Sequence, residues 1–232
     1  VNKWTYRSSG GLNFPVRPGD VWGVDGHRVA CLDLTRQFDG FRAHWPAPPK
    51  LIYTDPPWNN ANVSAFYTKA GYAQADSRPS YDTVCAAVLA IAGSLQVPAW
   101  MEASVHETER TRRLIETAGG RIVARVPTTY YRRHPALLYQ VTWGLAMETP
   151  ADLHGADDEH TPYRVIAAAR EQGVVVPGDA VLDPCLGRGL TLAAAVSNGL
   201  TIYGSELSPY RASASLTRLR AAGFEATRIG VV

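Results

Sequence analysis

Apolar positions along the chain follow two periods. Short apolar runs at 21–33, 51–54, 97–104, 121–127, 137–146, 180–183 and 201–206 have the length and composition of strands. The stretch 81–95 places apolar residues at helical spacing without a proline. Segments 106–118, 161–172, 190–198 and 209–222 also read as helices. Gly119-Gly120 ends the first of these, and Pro162 sits in the first turn of the second. Asp25-Gly26 divides 21–33 into two strands joined by a hairpin turn. A short helix and a proline-rich approach fill 34–50. Residues 59–80 are polar and aperiodic and predict a long loop, which in a compact domain tends to be functional. Residues 1–20 and the acidic 147–160 read as irregular. Strands alternating with helices predict an α/β fold with a mostly parallel sheet covered on both faces.

Composition narrows the class. A length of 232 residues predicts a single domain spanning 1–232 with a substantial core. Apolar residues at 46% and charged residues at 19% fit a soluble globular protein. No apolar run nears the ~18–20 residues that span a bilayer, and no signal peptide is expected. Cys31, Cys85 and Cys185 are scattered and lie in apolar stretches, which predicts reduced thiols in a cytoplasm. A net charge of +2 neither demands nor forbids a nucleic-acid partner.

Two motifs carry candidate chemistry. The first is Val181-Leu182-Asp183-Pro184-Cys185-Leu186-Gly187-Arg188-Gly189, a strand opening into a glycine loop and a helix. Ligands of open α/β sheets bind beyond the carboxyl ends of the strands. Gly187 and Gly189 allow close backbone approach, and the helix start offers N–H groups to a carboxylate. Asp183 suits a ligand ammonium. Glu206, ending the next strand, suits the two hydroxyls of a ribose. S-adenosylmethionine, with an amino acid at one end and a ribose at the other, fits this set. The full dinucleotide fingerprint and the Gly-Lys-Ser/Thr of a phosphate loop are both missing.

The second motif is Thr54-Asp55-Pro56-Pro57-Trp58, directly after the apolar run Leu51-Ile52-Tyr53. The amino nitrogen of a nucleobase is a poor nucleophile because its lone pair spreads into the ring. A carboxylate at Asp55 and the Pro56 carbonyl can each accept one N–H and localise that pair. The prolines fix φ and keep the carbonyl aimed. Trp58 supplies a stacking face worth ~1–3 kcal/mol per base. In a duplex the base must first be flipped out.

With Asp55-Pro56-Pro57-Trp58 preceding Asp183-Pro184-Cys185-Leu186-Gly187-Arg188-Gly189 in the chain, the two motifs resemble the permuted β-class DNA amino-methyltransferases, over roughly residues 18–222. The resemblance implies a Rossmann-like methyltransferase fold with a mostly parallel seven-stranded sheet and a hairpin at the C-terminal edge. It implies adenine N6 methylation in DNA with S-adenosylmethionine as cofactor. Alternatives are an RNA adenine-N6 enzyme, a DNA cytosine-N4 enzyme, or a non-catalytic, partner-dependent subunit of the same fold. Implied catalytic residues are Asp55, Pro56, Pro57 and Trp58. Implied cofactor residues are Asp183, Pro184, Gly187, Gly189 and Glu206, with Asp33 near the adenine and Thr161, in Thr161-Pro162-Tyr163, near the methionine end. Family members often dimerise, and a homodimer would add DNA contacts. The family usually carries Phe where Cys185 stands and Ser-Gly-Thr-Thr where Arg188-Gly189-Leu190-Thr191 stands. Residues 147–160 occupy the place where sequence-specific members insert a recognition segment.

Asn59 and the cation–aromatic run Tyr130-Tyr131-Arg132-Arg133 are candidate substrate contacts. The run lies at the tip of the last hairpin, which would reach the carboxyl edge of the sheet beside Asp55. The arginines at 110, 112 and 113 alternate with Glu107 and Glu109 and read as an ion-paired solvent face. His154, Asp157, Asp158, Glu159 and His160 lack ligand spacing, and no metal is expected.

Overall fold

The computed structural model describes residues 14–72, 78–131 and 133–232. The chain begins with β1 (Asp20–Val24), β2 (His27–Cys31), α1 (Leu34–Arg42) and β3 (Leu51–Thr54). It continues through α2 (Asn60–Lys69), α3 (Tyr81–Leu95), β4 (Ala99–Ser104), α4 (Thr108–Thr117), β5 (Arg121–Tyr130) and β6 (His134–Thr142). It ends with α5 (Thr161–Glu171), β7 (Ala180–Asp183), α6 (Leu190–Ser197), β8 (Thr201–Glu206), α7 (Pro209–Ala221) and β9 (Thr227–Val231).

Among the described residues the strands form one nine-stranded sheet in the order β5-β6-β4-β3-β7-β8-β2-β1-β9. Its centre is parallel: β4 with β3, β3 with β7, β7 with β8 and β8 with β2. Both flanks are antiparallel, through the β5–β6 hairpin on one side and β1 between β2 and β9 on the other. This corrects the seven-stranded, mostly parallel expectation. Parallel pairings are only half of those among the described residues, because hairpins flank the crossover core at both edges. The β5–β6 hairpin occupies one edge, and the chain's last strand, β9, the other.

Side-chain alternation sorts the two faces. Leu51, Tyr53, Val181 and Ile202 join one cluster with Val165, Leu192 and Leu216 of α5, α6 and α7. Their strand neighbours Ile52, Leu182 and Tyr203 turn to the opposite face, against Phe38 and Phe41 of α1 and Ala92 of α3. Both faces are covered, which is why these strands read as continuous apolar runs.

The expected loop at 59–80 is corrected in part: α2 occupies its first half, and residues 73–77 lie outside the described residues. Asn59 caps α2, its Oδ1 accepting from the Asn62 N–H at 2.8 Å. Only Val63 and Tyr67 of α2 are buried, so its sequence carries little amphipathic signal. Strand β5 runs on to Tyr130 and β6 starts at His134, so most of the expected 128–135 connection is sheet. The acidic segment 147–160 holds a short 3-10 turn at Ala151–Leu153. It also pairs by backbone with β5, Thr129 N–H donating to the Ala156 carbonyl and Asp158 N–H to that of Thr129. As expected, Arg110 and Arg112 are ion-paired on the α4 side, with Asp82, Glu107, Glu109 and Glu116.

Candidate active site

Strands β3, β7 and β8 point the same way, so the segments following them emerge at one edge of the sheet. There they enclose a cavity of about 550 Å³, within the roughly 300–1,000 Å³ of small-molecule sites. Asp55, Pro56, Pro57 and Trp58 line it from one side. Asp183, Pro184, Gly187, Arg188 and Glu206 line it from the other. The two motifs, far apart in the chain, share one crevice.

The Asp-Pro-Pro-Trp segment is internally braced. Trp58 Nε1 donates to Asp55 Oδ1 at 2.7 Å. The Trp58 ring lies 4.7 Å from that of Tyr130, and Tyr130 lies 4.4 Å from Tyr131. The hairpin tip therefore lies beside Asp55. Tyr131 holds a left-handed backbone, φ +50°, and its N–H donates to Asp158 Oδ1 at 3.1 Å. Tyr131 is 60% exposed, so the aromatic series runs from the buried carboxylate to solvent. Arg133 is exposed and does not line the cavity; Arg132 lies outside the described residues.

The glycine loop is held from below. Leu186 N–H donates to the Ser205 carbonyl at 2.8 Å and Gly189 N–H to that of Leu186 at 2.9 Å. The Leu186 side chain sits over Gly204 of β8, where a Cβ would come within 2.5 Å of it. Gly187 takes φ +56°, and a Cβ there would meet nothing nearer than the Cys185 carbonyl at 3.8 Å. The glycine thus serves loop shape and leaves open space above the backbone. Asp183 accepts from the Cys185 N–H at 3.0 Å. Glu206 accepts from the Ser208 N–H at 2.8 Å.

Electrostatically the cavity is dominated by buried acids. Burial pushes Asp55 up to about 7, against the Trp58 hydrogen bond, which holds it down; Asp183 adds to the rise and Arg211 opposes it. Burial also takes Asp183 to about 7, opposed by hydrogen bonds from Thr191 and Cys185. Glu206 is raised by burial, with Arg211 opposing. Asp158, raised to about 7 mainly by burial, and Glu102 line the same space. Acids perturbed by burial and by one another in a cleft are the arrangement that functional sites use to tune pKa.

Several expected residues make other contacts in the structure. Asp33 caps α1, accepting from the Thr35 N–H and hydroxyl and from the Tyr67 hydroxyl; its neighbours Leu32 and Leu34 reach the cavity instead. Thr161 is fully buried, its hydroxyl donating to the Asp157 carbonyl, and Pro162 lines the cavity in its place. Asn59 caps α2 rather than lining the cavity. Gly189 starts α6 with φ +80°, and a Cβ there would press on Ser215 at 2.9 Å, so it allows helix packing. No group of His, Cys, Asp and Glu able to hold a metal occurs among the described residues. Tyr53, Glu102, Asp158 and Arg211 also line the cavity, and the sequence marked none of them as a substrate or cofactor contact. Glu102 left one trace, a lone carboxylate inside the otherwise apolar Ala99-Trp100-Met101-Glu102-Ala103.

No family model and no curated protein matches the chain. Solved structures do. The crystal structure of the M1.HpyAVI–SAM complex superposes with a TM-score of 0.59 at 13% identity, covering 82% of this chain and 98% of that one. TTHA0409, a putative DNA modification methylase from Thermus thermophilus, gives 0.55 at 18% identity, covering 84% and 94%. PvuII DNA methyltransferase, cytosine-N4-specific, gives 0.56 at 11% identity, covering 83% and 86%. At these identities the likeness is one of fold, and the chain has an α/β methyltransferase-like fold built on a mixed sheet.

Proposed function

We propose that this protein is a DNA methyltransferase that moves a methyl group from S-adenosylmethionine to an exocyclic amino nitrogen, the N6 of adenine. The observation that carries the reading is the meeting of Asp55-Pro56-Pro57-Trp58 and Asp183–Glu206 in one cavity. The structural neighbours support it: one was crystallised with SAM, and PvuII acts on DNA.

The residues present fit the cofactor. Asp183 and Glu206 are two carboxylates on adjacent strand ends, suited to an ammonium and to a ribose diol. Open space above Gly187 admits a ligand against the loop backbone. Leu32, Phe66 and Leu207 offer apolar walls. When bound, the cofactor supplies an electrophilic methyl on a sulfonium.

On the other side, Asp55 accepts one amino N–H and the Pro56 carbonyl the second, and the nitrogen lone pair turns toward the methyl. With the cofactor bound, transfer would form an N–C bond as its S–C bond breaks, and the nitrogen would shed a proton. Asp55, raised to about 7 by burial, is matched to receive it near neutral pH. Trp58, Tyr130 and Tyr131 stack on the target base and its neighbour. Fixing both reactants supplies much of the acceleration. In the family that the chain resembles, Asp rather than Ser before Pro-Pro goes with adenine; cytosine N4, the target that the name of PvuII gives, is the second reading.

Mass spectrometry of nucleosides from DNA and RNA of a host expressing the protein tests the proposal. N6-methyladenine in DNA is expected. N4-methylcytosine in DNA, or a product confined to RNA, would replace the substrate, and unmodified nucleosides would overturn the assignment.

A further inference from the structure

Strand β4 is buried along its whole length, yet it carries Glu102, 2% exposed and lining the cavity. The register that pairs Tyr53 with Trp100 and Thr54 with Met101 points on toward Glu102 and Asp55, the residue after β3, and the two acids lie close enough for Asp55 to raise the Glu102 pKa. The Tyr53 hydroxyl donates to Glu102 Oε1. Among the described residues no cation pairs with Glu102; its charged neighbours are Asp55, Asp158 and Asp183. An ionised carboxylate buried without a counter-charge is costly, so this environment stabilises the neutral acid. Burial first, then the three acids, push Glu102 well above the usual carboxylate range, against the Tyr53 hydrogen bond, which holds it down. The Tyr53 hydroxyl occupies Oε1, so the acid proton is assigned to Oε2.

Resting on the reading that Asp55 holds a base's amino group, we propose that Glu102 donates from Oε2 to the adjacent ring nitrogen, N1 of adenine. Together the two acids read an amino donor next to a ring acceptor. Hypoxanthine and guanine present an N1–H at that position, so donor would face donor. Sites built to hydrogen-bond a substrate reject analogues that leave a buried group unpaired. Glu102 would thus select the base, while Asp55 and Pro56 orient the reacting nitrogen.

The test compares kcat/KM on an oligonucleotide carrying a site that the wild type methylates with the same oligonucleotide carrying 1-deazaadenine at the target. The wild type is expected to lose tenfold or more on the analogue. Glu102→Ala should lose as much on adenine and nothing further on the analogue. Glu102→Gln, whose amide accepts from Tyr53 and still donates, should stay within a few-fold of wild type on adenine. Equal wild-type rates on the two oligonucleotides would overturn the inference without requiring any variant to fold. So would full sensitivity to the analogue in Glu102→Ala. A wild type that methylates no base amine would fail the underlying reading, and the inference with it.

Discussion

Trp58 donates its indole N–H to Asp55 Oδ1 at 2.7 Å. The aromatic residue of the motif therefore steadies the carboxylate as well as offering a face. The bond favours the ionised form, the one able to accept an amino N–H, in a place where burial opposes it.

Trp58→Phe removes the donor and keeps a ring against Tyr130. Asp55 should then hold its proton to higher pH. We expect kcat/KM to fall about tenfold at pH 6.5 and much less at pH 8.5. A pH–rate profile of the variant checks this; curves that superpose after scaling by one constant would contradict it.

The cofactor half should respond separately. Glu206→Ala removes a buried acceptor proposed for the ribose, and charged hydrogen bonds are worth ~1.5–3 kcal/mol, or roughly 10–100-fold in affinity. Gly204→Ala should weaken binding too, because its Cβ would stand 2.5 Å from Leu186 and displace the glycine loop. Isothermal titration with S-adenosylmethionine measures both. Wild-type affinity in Glu206→Ala would remove that residue from the site.

Buried acids also make stability depend on pH. Asp55, Asp158 and Asp183 sit near 7 in the folded protein, against ~3.9 in an unfolded chain. Between about pH 4 and 7 the folded state holds protons that the unfolded state has released, so stability falls as pH rises through that window and levels off above it. The ligand-free protein should melt at higher temperature at pH 5 than at pH 8, and Asp183→Asn should narrow the difference. Melting temperatures across this range test it; a Tm that climbs from pH 5 to 8 would contradict the assignment of buried, protonated acids.

Much of the core and part of the site are legible in the sequence for physical reasons. Central strands such as Leu51–Thr54 and Ala180–Asp183 are buried on both faces, so they stand out as short apolar runs between turn residues. The flanks are harder. Strand β9 exposes most of its residues and offers no alternation to read. Helix α2 buries two side chains in ten residues, so it looks like loop. The glycine loop and the Asp-Pro-Pro-Trp segment are visible because their chemistry is contiguous. Glu102 is not, because its meaning comes from facing the cavity that Asp55 lines, from a neighbouring strand. Asp33 and Thr161 show the converse: each sits beside cavity residues, Thr161 bonded to the Asp157 carbonyl and Asp33 capping α1 through Oδ1, with its buried Oδ2 making no hydrogen bond.

The most direct test of two half-sites working in one crevice is a pair of measurements on Asp55→Ala: its affinity for S-adenosylmethionine, and its transfer of labelled methyl to DNA. The variant should bind the cofactor within a few-fold of wild type and transfer no label. Continued methylation by Asp55→Ala, or a cofactor site that collapses with the substitution, would contradict the division of labour between Asp55 and the Asp183–Glu206 side.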